Sequence, residues 1–180
     1  MSGRLALLAA FAVLVAACSG DSEPQAVTTA ARTASASEPE RKDGTCPVTI
    51  ANRSVPPDSS DWGPDDSHGN GKLWTLFWPF GVVVADSGYV EDDGSIRMKW
   101  PWWRGVRGTL KIQGRRLDGP ARPLRAEVND AYGLSGFQPS GIYFSTEGCW
   151  EVTGSVGQAS LTFVTLVVKA STYALELKTE

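Results

Sequence analysis

The chain has 180 residues, 17 basic and 20 acidic side chains and a formal net charge of −3. That balance, with seven tryptophans and one histidine, argues against a polybasic nucleic-acid binder and against a multi-histidine metal site. The 42% hydrophobic content is enough for one folded domain.

Leu5 to Ala17 is an apolar run of 13 residues behind a single charge, Arg4. A helix needs about 20 apolar residues to span a bilayer, so the run is too short to be a membrane span. A charged start, a short apolar stretch and small residues at its end mark a secretory signal over residues 1–17. The end of the run and the residue after it, Val15-Ala16-Ala17-Cys18, resemble the bacterial lipobox at all four positions. The resemblance implies cleavage before Cys18 and acylation of its thiol, palmitate included, on the extracytoplasmic side of a cell membrane. The plainer alternative is an ordinary signal peptide with an incidental cysteine. No later apolar run reaches 18 residues. The mature chain is therefore expected to be held to the membrane by lipid on Cys18 rather than threaded through it.

Residues 18–44 follow as the acylated cysteine and a tether. Ser19 to Gly44 is rich in Ser, Thr, Ala, Glu and Pro and carries no aromatic. Such a stretch buries too little apolar surface to offset its ordering entropy, so it is expected to be disordered. As a flexible chain its mean reach is roughly 28 Å.

Two cysteines remain, Cys46 and Cys149, 103 positions apart. Outside the cytoplasm they are expected to form a disulfide. Closing a loop near 100 residues corresponds to about 4.7 kcal/mol in the chain-entropy model. The alternative is a reactive Cys149, but His68 is the one histidine that could serve it as base. The Ser-His-Gly-Cys pattern of L,D-transpeptidases is absent, because Thr146-Glu147-Gly148 precedes Cys149.

Residues 45–180 read as one all-β domain of about nine strands. Ile96, Met98 and Trp100 alternate with Arg97 and Lys99. Leu110 and Ile112, Leu124 to Val128, and Trp150 and Val152 show the same period of two. Strands are expected near 46–51, 72–78, 81–85, 95–100, 106–113, 123–128, 141–144, 148–154 and 160–178. Many short strands between turn signals predict a sandwich. An immunoglobulin-like version is expected, because Cys149-Trp150 could supply the tryptophan that packs beside an intersheet disulfide there. The stretches His68-Gly69-Asn70-Gly71-Lys72-Leu73-Trp74, Met98 to Trp103 and Gly148 to Gly154 resemble a group of uncharacterised bacterial extracytoplasmic lipoproteins. That resemblance implies an address and no activity.

Charge within the domain is uneven. Residues 58–93 hold eight acidic side chains and one Lys, whereas residues 97–125 hold nine basic and one acidic. The simple reading is opposite charges paired across neighbouring strands. The sharper one concerns Trp102, Trp103, Arg104 and Arg107. Adjacent tryptophans point to opposite faces of a strand, and Pro101 makes a bend plausible. One of the two is thus expected at the surface beside Arg104 and Arg107. That patch suits a cell-wall polysaccharide, an anionic polymer, lipid headgroups or an envelope protein. Nucleic acid does not fit the compartment.

The polar loop Asp61 to Gly71 offers oxygens for calcium but lacks EF-hand spacing, and is expected to be a solvated turn without metal. No Gly-x-Ser-x-Gly elbow and no phosphate loop occur. Asp65, Asp66, Glu91 and Glu147 are the candidates for a carboxylate pair of a small envelope hydrolase, a weaker reading. The expectation is thus a lipid-anchored, non-enzymatic β-sandwich that binds or scaffolds at the cell envelope and needs no cofactor.

Overall fold

The computed structural model describes residues 45–171 apart from 58 and 60. The signal segment, Cys18, the tether and the expected strand stretch 172–178 lie outside the described residues. Nine strands lie among the described residues: β1 (Ser67–Gly69), β2 (Leu73–Leu76), β3 (Val82–Ala85), β4 (Ile96–Arg104), β5 (Lys111–Arg116), β6 (Arg125–Val128), β7 (Gly136–Phe144), β8 (Gly148–Val156) and β9 (Ala159–Lys169). They form two sheets, ordered β1-β2-β4-β7-β6 and β3-β9-β8-β5. Neighbours are antiparallel except β3 and β9, which run parallel. The architecture is an all-β sandwich.

The period of two explains the layers. Along β4, Ile96, Met98, Trp100 and Trp102 enter the core, while Arg97, Lys99, Pro101 and Trp103 face outward. From the opposite sheet come Trp150, Val152 and Phe163, all buried. The ring of Phe163 lies in the middle of an aromatic cluster, 5.2 Å from Trp100, 5.0 Å from Phe77 and 6.0 Å from Trp102. Trp150 meets Phe144 at 5.5 Å.

Pro101 does not bend the chain as its sequence context suggested. It sits inside β4, opposite Pro139 of β7. Its carbonyl accepts from the Thr75 hydroxyl on the β2 side. In an extended strand the N and O of one residue point the same way, so the missing N–H also faces β2. The β2–β4 ladder ends at Thr75 opposite Trp102. The proline therefore removes no ladder hydrogen bond, the usual objection to proline in a central strand.

The expected strand at 46–51 is instead an extended strap outside both sheets. The Thr49 amide donates to the Val164 carbonyl at 2.9 Å, and the Val164 amide donates to the Thr49 hydroxyl at 2.8 Å. The strap thus covers the part of β9 that β3 does not reach. Cys46 and Cys149 form a disulfide. It ties the strap to β8 and does not join the two sheets. Trp150 is fully buried in the core, and the adjacent Cys149 points to the other side of β8. The tryptophan-on-disulfide packing that motivated an immunoglobulin-like reading is therefore not formed. The period of two itself forbids it, because neighbours in a strand face opposite ways.

Candidate functional site

The outward side of the five-stranded sheet carries a graded face, set by register. In one row, Trp74 of β2 stands opposite Trp103 of β4, and Trp103 opposite Phe137 of β7. The next row holds Pro101 beside Pro139. Then come Lys99, Gly141 and Glu127, followed by Arg97, Tyr143 and Arg125. One end of the face is aromatic, its middle is flat and apolar, and its far end is charged.

A groove of about 710 Å³ runs along this face. Its floor is Pro101, Pro139 and Gly141, and its walls include Arg97, Lys99, Glu127 and Tyr132. Phe137 is 43% exposed and Tyr132 44%, and their rings meet edge-on at 6.0 Å. A second hollow of about 390 Å³ adjoins the groove and shares Pro101 and Phe137 with it. Trp103 and Trp62 line that hollow, with Trp62 edge-on to Trp103 at 6.1 Å.

The charged end is ordered by Tyr143. Its ring lies under the Arg125 guanidinium at 3.4 Å, with Arg97 at 5.6 Å. Its hydroxyl donates to Glu127 Oε2 at 2.7 Å, and Arg125 donates to Oε1. The Tyr143 hydroxyl and the Arg125 guanidinium hold the Glu127 carboxyl below the usual carboxylate range, and the same hydrogen bond pushes the Tyr143 phenol up. Arg97 and Lys99 make no ion pair with the described residues. The face therefore presents two cations without an ion pair among the described residues, one compensated carboxylate and a run of rings.

The four expected patch residues do not share a surface. Trp103 lies on this face, half-buried. Trp102 points the other way and is fully enclosed in the core. Arg104 is only 2% exposed. Its guanidinium donates to the carbonyls of Gly108 at 2.9 Å and of Tyr132 and Gly133 at 3.1 Å, so it holds two loops together. Burial without a carboxylate partner pulls its pKa below the usual arginine value. Arg107 lies beyond the end of β4 and is exposed.

The candidate carboxylates are scattered. Asp65 approaches Arg53 at 3.9 Å, and Glu147 Oε1 accepts the Lys169 amide at 2.6 Å. The Asp66 carbonyl accepts the Phe77 amide, and the Glu91 amide donates to Ser95. In the polar loop, the Asn70 side-chain oxygen caps the amides of Lys72 and Leu73. No group of three or more His, Cys, Asp or Glu that could hold a metal occurs among the described residues.

No family model, curated protein or solved structure matches the chain. The chemistry of the face has to be read from its own residues.

Sequence reasoning found Trp103 and missed Phe137, Tyr132, Arg97 and Lys99 as its companions. One signal was present. Residues 97, 99, 101 and 103 share parity in a continuous strand, whereas Trp102 and Arg104 have the other. Phe137 and Tyr132 had no such signal, because strand pairing brings them in.

Proposed function

We propose that the protein is a lipid-anchored, extracytoplasmic binding module whose outer sheet face holds an anionic, sugar-containing polymer of the cell envelope. The observation that supports this most is the graded face itself. Exposed rings at one end offer stacking surfaces for sugar rings, and unpaired Arg97 and Lys99 at the other offer partners for phosphate or carboxylate. The hollow beside the groove lengthens the surface, which suits a chain of linked units better than a single small molecule. The lipobox resemblance at Cys18 supports the address, and the Cys46–Cys149 disulfide agrees with an oxidising compartment.

Binding without turnover is the reading Glu127 favours. A glycosidase acid needs a raised pKa and a second carboxylate across the cleavage point. Glu127 is instead held ionised by Tyr143 and Arg125, which suits a fixed counter-charge.

The test is co-sedimentation of the mature chain with isolated cell walls at several salt concentrations. Phe137→Ala and Lys99→Glu should each weaken binding by about tenfold, and only the second should flatten the salt dependence. Gly141→Ala is the cleanest block. A Cβ there meets nothing closer than 3.5 Å, so the domain should fold with unchanged stability while the groove floor is raised. Binding that survives all three substitutions would sink the site.

A further inference from the structure

A second surface stands apart from the groove. Phe80 is 95% exposed, and Ile50 from the N-terminal strap is 86% exposed. Both line one hollow of about 520 Å³ with Trp78 and Pro79. Phe80 is also one of two non-glycine residues with a left-handed backbone among the described residues, at φ +56°. A bulky residue pays a conformational penalty there and gains nothing from the fold, since its ring touches little.

The turn that presents it is built firmly. The Gly81 amide donates to the Trp78 carbonyl at 2.8 Å, and the Gly81 carbonyl accepts from the buried Thr165 hydroxyl at 2.8 Å. Gly81 itself has φ +68°, and a Cβ on it would stand 2.2 Å from Val48. The strap thus presses directly on the turn. The phenyl ring is held out by rigid structure on both sides, in the company of tryptophan and isoleucine.

We infer that Ile50 and Phe80, with the partly buried Trp78 behind them, form a docking tip that enters the interfacial layer of the bilayer to which Cys18 is anchored. The inference rests on the anchoring part of the proposed function and is independent of the groove. Where the strap begins selects the membrane as occupant. Ile50 lies four residues after Cys46, at which the tether joins the domain, and 32 residues after Cys18. A chain of that length has a mean reach of about 30 Å, so the tip meets lipid at high effective concentration. Phe, Ile and Trp side chains suit the interface, and Trp is enriched there. Arg53, Asp65 and Asp66 around the hollow carry no net positive charge, so entry is apolar and not an attraction to anionic headgroups.

The topology allows both surfaces to work together. The tip lies where the strap passes from β9 to β1, at the β1 and β3 edges of the two sheets. The groove lies over β4, β7 and β6. A domain resting on its tip leaves the groove open to the envelope.

The test uses the mature chain from Cys18 coupled through that thiol to a maleimide lipid in phosphatidylcholine vesicles. Coupling makes the result independent of whether the cell acylates Cys18. Amide hydrogen exchange is compared with the same chain uncoupled and free of vesicles. Segments 49–51 and 78–81 should slow by about tenfold, the factor expected from burying one large side chain, while 137–143 should not change. Phe80→Gly should abolish the slowing without lowering the melting temperature, because glycine relieves the left-handed backbone. No slowing at 78–81 would overturn the inference, as would slowing that persists in Phe80→Gly or that extends to 137–143. A failed cell-wall assay would leave it standing, and the converse also holds.

Discussion

Gly154 of β8 should be irreplaceable, although its backbone conformation is one any residue adopts. An ideal Cβ on residue 154 would stand 2.4 and 2.5 Å from two ring carbons of Trp102, where ordinary contact begins at 3.4 Å. The indole or the strand must therefore move by about 1 Å. Neither moves freely: Trp102 is fully buried against Phe163, and Gly154 is paired on both sides, with Ile112 and Leu161. Overpacking of this kind costs about 1–3 kcal/mol. Alanine recovers roughly 0.5–1 kcal/mol through the stiffer unfolded chain. Gly154→Ala should then destabilise by about 1–2 kcal/mol, which corresponds to roughly 4–8 °C in melting temperature. Trp102→Phe removes the clashing part of the ring and also an indole N–H that is buried without a partner. The double variant should recover at least about 1 kcal/mol relative to the sum of the singles. Urea unfolding of the four proteins measures this cycle. A stable Gly154→Ala, or strictly additive singles, would show that Trp102 is not locked against β8 and would reopen its place on the surface.

The remaining predictions concern the strap and the edge it covers. Cys46→Ser with Cys149→Ser should lower stability by about 2–5 kcal/mol, and hydrogen exchange should accelerate first at 46–51; a melting temperature within about 2 °C of the parent would show that the bridge does little. His68 stacks on Phe77 at 5.0 Å, and its Nδ1 is buried without a partner. Desolvation lowers its folded pKa below the ordinary 6.5, against a smaller opposing pull from the Ile50 backbone. The unfolded chain thus binds the proton more readily, so the stability this residue supplies is full above pH 6.5 and declines as pH falls through 6.5 toward the lowered folded value. His68→Gln should flatten that part of the stability–pH profile, and an unchanged slope would exclude His68 as its source.

Much of the sandwich was legible because exposure alternates with chain parity. That rule placed β4 and β8 and sent Trp100 and Trp150 inward. It failed where a single residue type was read without its neighbours' parity. Pro101 suggested a bend because proline lacks a donor, yet the donor was needed only if the β2–β4 pairing ran one residue beyond Thr75 and Trp102. Arg104 was taken for surface because it is charged, yet three carbonyls at the ends of two loops take its protons. β1 was missed because three residues in a polar loop carry no pattern. The strap showed strand composition without a ladder: β3 already pairs with Leu166 to Lys169 on that edge of β9, and the strap meets β9 at Val164 alone. The binding face was legible only in part: Arg97, Lys99 and Trp103 share a parity, whereas Phe137 reaches them through pairing with Trp103, 34 positions earlier (137 − 103).

The place of β9 has a consequence for how the chain comes into being. It is the last strand described, and it lies between β3 and β8 in the middle of its sheet. The strap, too, finds its hydrogen-bond partner at Val164 and its disulfide partner at Cys149. A chain emerging from its amino end cannot close this sheet, bury Phe163 or seat the strap until β9 has appeared. Contacts of such long sequence separation form slowly. The polypeptide should therefore stay open and threadable during synthesis, and then fold in one late step.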